Sequence, residues 1–103
     1  MAPRRSKPFV YHRAEQRIPM EVPVVIDGHR RMPGTEATFT ENVSARGARV
    51  ISMRNWELGE HLNFASRTGE FRSSARVAYC HPLQSDGFAV GVEFLDAKGR
   101  WVV

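Results

Sequence analysis

Along the first quarter of the chain, apolar side chains recur at every second position: Met20, Val22, Val24 and Ile26, with Glu21, Pro23 and Asp27 among the alternates. A strand has a side-chain period of two, so this spacing predicts an extended segment with one row against a core. Pro23 has no amide to give to a ladder, which predicts an edge strand or a bulge there. Gly28 to Gly34, with Pro33 and three basic side chains, reads as a turn or longer loop. A second extended segment is expected from about Ala37 to Val43 and a third from Ala48 to Met53, separated by Ser44-Ala45-Arg46-Gly47.

The run Asn55-Trp56-Glu57-Leu58-Gly59 breaks the alternation and is expected to cross one end of the domain, with Trp56 sealing the core. Leu62 and Phe64 mark another short strand, followed by a turn through Thr68-Gly69-Glu70. Ala75, Val77 and Tyr79 then form one apolar face, with Arg76 on the other, and Pro82 and Gly87 bracket the next loop. Phe88, Val90, Val92 and Phe94 make the last and strongest row, expected inside; truncating Phe88 or Phe94 to alanine would cost roughly 3–5 kcal/mol if fully buried. Six alternating segments without a linking helical pattern disfavour a parallel nucleotide-binding fold and predict an antiparallel sheet. Periodicity alone leaves open whether that sheet closes into a barrel or folds into a sandwich.

At 103 residues the chain has room for one domain, and its 42% hydrophobic and 25% charged residues are those of a globular protein. Charge placement adds more than composition does. Arg4, Arg5, Lys7, Arg13 and Arg17 stand against Glu15 alone, so residues 1–17 carry the whole net charge of +4. This asymmetry suits an anionic partner at an N-terminal arm, and equally suits a solubilising tail. Cys80, the one cysteine, cannot form an intrachain disulfide or a cysteine-rich zinc site, and its apolar surroundings predict an inert buried thiol. His12, His29, His61 and His81 are scattered, and adjacent Cys80 and His81 would point to opposite faces of a strand, so no metal site is expected. Neither a nucleophile elbow nor a His-Glu-x-x-His run is present, and no catalytic residue is assigned. With no apolar run near 18 residues and no apolar centre in the first 20, the cytoplasm is the expected compartment.

Two stretches keep chemical reach. Arg13-Ala14-Glu15-Gln16-Arg17 sets two guanidinium groups four residues apart. In a helical turn they share a face, whereas in an extended segment they lie about 13 Å apart, so only a bent junction brings both to one compact anion. Pro19 stops a long helix from continuing. In Asn42-Val43-Ser44-Ala45-Arg46-Gly47, Asn42 offers amide donors and an acceptor, Ser44 a hydroxyl, and Gly47 either a positive φ or a close approach without a Cβ clash. An ordinary turn uses the same residue types without any ligand.

Together, Arg13-x-x-x-Arg17 and Asn42-x-Ser44-x-x-Gly47, with 24 residues between them, resemble the two-part motif of PilZ domains, receptors for the bacterial second messenger cyclic diguanylate (c-di-GMP). Ala48-Arg49-Val50, Ala75-Arg76-Val77-Ala78-Tyr79 and Gly91-Val92-Glu93-Phe94 resemble the family's core strands, so the likeness spans about residues 9 to 95. The resemblance implies an all-β, six-stranded antiparallel barrel whose N-terminal loop wraps the ligand onto the outer surface. Residues 1–12, with Pro3 and Pro8 among basic residues, read as an extended basic arm, and the barrel with its binding loop is expected over 13–95 with a short tail over 96–103. Many family members continue from the last strand into a helix, and here the chain departs from them: Leu95 to Val103 has room for no more than about two turns and includes Gly99, so little or no C-terminal helix is expected. Arg13 and Arg17 match the paired arginines that contact phosphate and guanine edges. Asn42 matches a position held by Asp or Asn, Ser44 the serine, and Gly47 the glycine. Arg5, Lys7 and His12 rank below these as contacts, and an ordering of the segment before Met20 on binding is implied.

The function implied is a non-enzymatic receptor, with no cofactor, that turns c-di-GMP binding into an altered surface for an effector protein or for self-association. Two alternatives stand beside it: a PilZ-like interaction adaptor that does not bind the nucleotide, and, less favoured, a nonspecific nucleic-acid binder using Arg4, Arg5 and Lys7. The balance of ten positive and ten negative residues beyond position 17 argues against an extended nucleic-acid groove. Trp101, Val102 and Val103 end the chain with an apolar run suited to covering a barrel mouth or meeting another subunit.

Overall fold

A computed structural model describes residues 16–103, and within them the chain is built from strands with no helix. The long strands are β2 (Pro23–Asp27), β3 (Glu36–Ser44), β4 (Gly47–Ser52), β5 (His61–Ser66), β6 (Phe71–Pro82) and β7 (Phe88–Phe94). Two-residue strands β1 (Ile18–Pro19) and β8 (Lys98–Gly99) add to β3 and β6. All pairings are antiparallel, in the order β3-β2-β5-β6-β7-β4, and β4 returns to β3. The sheet is therefore a closed six-stranded barrel, which settles the choice the alternation left open and removes exposed sheet edges.

Alternation puts one row of each strand inside. Val24 and Ile26, Val43, Ala48 and Val50, Leu62 and Phe64, Ala75 and Val77, and Val90 and Val92 form the buried core. Thr40 is also fully buried, and its hydroxyl is satisfied by accepting from the Val22 amide at 2.9 Å and donating to the Met20 carbonyl at 2.7 Å. Pro23 sits at the first position of β2 and not on an edge strand, because β2 pairs on both sides. The first position is where a missing amide is tolerated, and the Pro23 carbonyl still accepts from Arg67 at 3.0 Å.

The two longest strands, β3 and β6, bend at bulges. Register shifts between Thr40 and Asn42 in β3 and between Val77 and Tyr79 in β6, so one extra residue is accommodated at each place. The second shift reverses side-chain parity. Val77 pairs with Val92 on the inner face, but Tyr79 pairs with Gly91 and lies outside, contrary to the single apolar face expected for Ala75, Val77 and Tyr79. Cys80, opposite Val90, packs against the core instead, while His81 opposite Ala89 points outward and stacks on Tyr79.

The ends of the barrel close differently. Near the Ser52–Phe88 pair, Trp56 is 2% exposed and donates from Nε1 to Ser52 Oγ at 3.1 Å. At the other end of β7, Phe64, Phe71 and Phe94 surround Trp101, with ring centroids 4.8–5.5 Å from it. The tail thus covers a barrel mouth, and Trp101 Nε1 donates to the Ser44 carbonyl at 2.9 Å. Val90 and Val92 are buried as expected, whereas Phe88 and Phe94 are half-buried at the strand ends. Phe94→Ala is accordingly expected to cost less than the roughly 3–5 kcal/mol of a fully buried Phe, and more than Phe88→Ala, because it also removes the ring contacts to Phe64, Phe71 and Trp101. Chemical denaturation of the two variants checks the order.

Candidate functional site

The pairing of β1 with β3 joins the two sequence motifs. Ile18 lies opposite Val43 and Pro19 opposite Asn42, which places Arg17, the residue before β1, beside the second motif. Arg17 Nη1 donates to Asn42 Oδ1 at 2.8 Å across 25 positions of sequence. Asn42 holds the guanidinium by hydrogen bonding without neutralising it, as an Asp would. Arg13 lies outside the described residues.

Ser44 and Gly47 stand at the base of a two-residue turn, Ala45-Arg46, between β3 and β4. Ser44 is fully buried; its hydroxyl donates to the Gly47 carbonyl at 3.4 Å and its own carbonyl takes the Trp101 bond. Gly47 is needed for close approach, not for a positive φ, since it is absent from the positive-φ glycines and a Cβ there would lie 2.2 Å from the Val92 carbonyl oxygen. The structure thus brings Arg17, Asn42, Ser44 and Gly47 to one barrel end, with Arg17 exposed, Asn42 half-buried, and Ser44 and Gly47 buried as the frame.

Beside this frame is a shallow recess of about 200 Å³. Gly47, Ala78, Gly91 and Val92 line it together with the polar or charged side chains of Arg17, Arg46, Tyr79 and Glu93. Its volume is below the roughly 300–1,000 Å³ of enclosing small-molecule pockets, so it is a surface feature and not an enclosing cavity. Tyr79 lies against Gly91, where an added Cβ would come within 2.1 Å of its ring. The Arg49 guanidinium stands 5.8 Å from the Tyr79 centroid and bonds through Nε to Glu41 Oε1 at 2.8 Å. Hydrogen bonds to Glu41 and then Tyr79 raise the Arg49 pKa above its ordinary value, so that cation is internally compensated. Glu93 likewise pairs with Arg76.

Tyr79 and Arg46 are lining residues that the motif reading omitted. Gly91 was the available signal for Tyr79, because a glycine inside a strand marks close approach of another group. A larger recess of about 390 Å³ on the β2–β5–β6 face includes Asp27, Asn63, Arg72, Asp96 and Lys98. Within it Asn63 bonds to Asp27 and Lys98 to Asp96, so much of its polarity is already matched. Cys80 is half-buried, and desolvation, its largest influence, pushes the thiol pKa up, in keeping with an unreactive group. Among the described residues no group of three or more His, Cys, Asp and Glu side chains could hold a metal ion, and no helix is long and apolar enough to cross a membrane.

The family model for the PilZ domain matches residues 11–100, and the chain belongs to that family. PilZ domains as a class bind c-di-GMP. Among curated proteins the chain has no match.

Proposed function

We propose that this chain is a c-di-GMP receptor without catalytic activity, acting in the cytoplasm on an effector protein through the face that forms when the ligand is bound. The observation that carries this reading is the Arg17–Asn42 bond, which holds a guanidinium beside the recess while leaving its charge available to an anion. The proposed contacts are Arg13 and Arg17 to phosphate and guanine edges, with Asn42, Ser44 and Gly47 shaping the site. Each guanine presents N7 and O6 acceptors that an arginine fork engages, and each phosphate is a monoanion suited to the same group. Residues 13–95 form the working unit in this reading, with residues 1–12 as a basic arm and 96–103 as a tail.

Calorimetric titration with c-di-GMP, cyclic diadenylate and a short single-stranded oligonucleotide tests it. Binding of c-di-GMP alone, weakened by salt as exposed phosphate contacts are screened, is the expected outcome. Equal binding of the two cyclic dinucleotides would defeat the guanine readout. No binding of any ligand at low ionic strength would favour the nucleotide-independent adaptor, and binding of the oligonucleotide alone the nucleic-acid reading.

A further inference from the structure

Arg46 occupies the tip of the Ser44–Gly47 hairpin, a place where an exposed arginine ordinarily needs no explanation. Two features set it apart. Its carbonyl accepts from the Phe94 amide at 2.8 Å, which staples the turn to the end of β7 and fixes the base from which the side chain projects. Arg46 also lines the recess together with Arg17.

The charges around the recess do not cancel. Arg49 is paired with Glu41, and Arg76 with Glu93. Arg17 is held by neutral Asn42, and among the described residues the Arg46 side chain has no hydrogen-bond or ion-pair partner. Glu93, the carboxylate in the recess lining, is already engaged by Arg76. Two arginines therefore line one small concavity whose single carboxylate is in use, and the partner that completes this arrangement is an anion.

We propose that Arg46 is a further phosphate-binding residue, contributing from the barrel itself a contact to the phosphodiester that Arg17 approaches from the N-terminal side. The assignment rests on the c-di-GMP reading given above. It also gives the hairpin a role beyond its buried Ser44 and Gly47: the turn presents a donor fork at the recess. A guanidinium is suited to this task because it offers paired donors in one plane, which an ammonium does not.

The test titrates c-di-GMP into wild type, Arg46→Ala, Arg46→Lys, Arg46→Gln and Arg17→Ala at low and high ionic strength, after melting curves establish that each is folded. Arg46→Ala and Arg46→Gln should weaken binding about ten- to a hundredfold and flatten its salt dependence. Arg46→Lys should keep the salt dependence and recover only part of the affinity, a pattern that a purely structural turn residue would not give. If Arg17→Ala loses affinity while folded Arg46→Ala and Arg46→Gln bind like wild type with unchanged salt dependence, the Arg46 assignment is overturned and the receptor reading stands. If wild type itself does not bind at low ionic strength, the receptor reading falls and takes the assignment with it.

Discussion

Trp56→Ala is expected to remove about 3–5 kcal/mol of stability, a large part of the roughly 5–15 kcal/mol that holds a domain of this kind folded. Trp56 is 2% exposed, and it lies on a barrel whose strands are hydrogen-bonded all the way round. Such a ring cannot collapse freely into the space left by an indole, so the cavity penalty adds to the lost transfer energy. The edge contact with His29, whose ring centroid is 4.7 Å away, goes as well. His29 also orders its own loop, since its Nδ1 accepts from the amides of Arg31 at 3.1 Å and Met32 at 3.2 Å. Trp56→Phe should be milder, about 1–2 kcal/mol, because it keeps most of the ring and gives up the bond to Ser52. At about 4–8 °C per kcal/mol, the alanine variant should melt some 10–40 °C lower. A fall of only a few degrees, followed by far-UV circular dichroism, would show that Trp56 does not close the barrel.

Trp56 also shows what made much of the fold legible. A Trp in a segment that breaks a strand pattern has few ways to bury its surface except across the end of a sheet. Val24 and Ile26, or Val90 and Val92, were legible for a related reason: with one face of each strand turned to a core, a period of two leaves an unbroken apolar row. The bulges were not. Ala78, the residue accommodated in β6, is small and exposed, and it interrupts no apolar run; the sequence therefore continues smoothly while the side-chain parity reverses. That reversal carries Tyr79 from the core to the recess. Pro23 was misplaced for a different reason, since the cost of a missing amide depends on whether a neighbouring carbonyl needs it at that position. The two-residue strands β1 and β8 are too short to leave any period.

The candidate site was legible by type and order of residue, its geometry less so. Arg17 and Asn42 are 25 positions apart, and only the register of β1 on β3 brings them together. For Gly47 the sequence admitted either backbone freedom or close packing, and the choice depends on Val92, which is distant in the chain. Arg46 reads in sequence as a turn residue; its relevance arises from the recess formed by β4, β6 and β7. Trp101 joins the two levels, because one indole both fills the aromatic end of the core and bonds to the backbone of the motif hairpin.

Separating fold from binding gives the second large effect. Arg17→Ala should leave the barrel intact, since the side chain is exposed and its hydrogen bond is to Asn42 at the surface. Changes at exposed positions of this kind ordinarily stay within about 0.5 kcal/mol of stability. Binding of c-di-GMP should nevertheless weaken by about 2–5 kcal/mol, or roughly 30- to several-thousand-fold in Kd, where the ligand group remains desolvated without its charge-assisted donor. Arg13→Ala is expected to act in the same direction through the paired position. Arg17→Lys should fall between wild type and alanine, because it keeps the charge and loses the planar fork. Gly47→Val makes the opposing case: its Cβ would stand 2.2 Å from the Val92 carbonyl oxygen, so β4 and β7 must separate where they pair, and both melting and binding should suffer. Titrations run beside melting curves distinguish the two behaviours. A folded Arg17→Ala that binds with wild-type affinity would refute the assignment of this arginine, and retained binding by Arg13→Ala as well would remove the motif from the site while leaving the PilZ barrel unchanged.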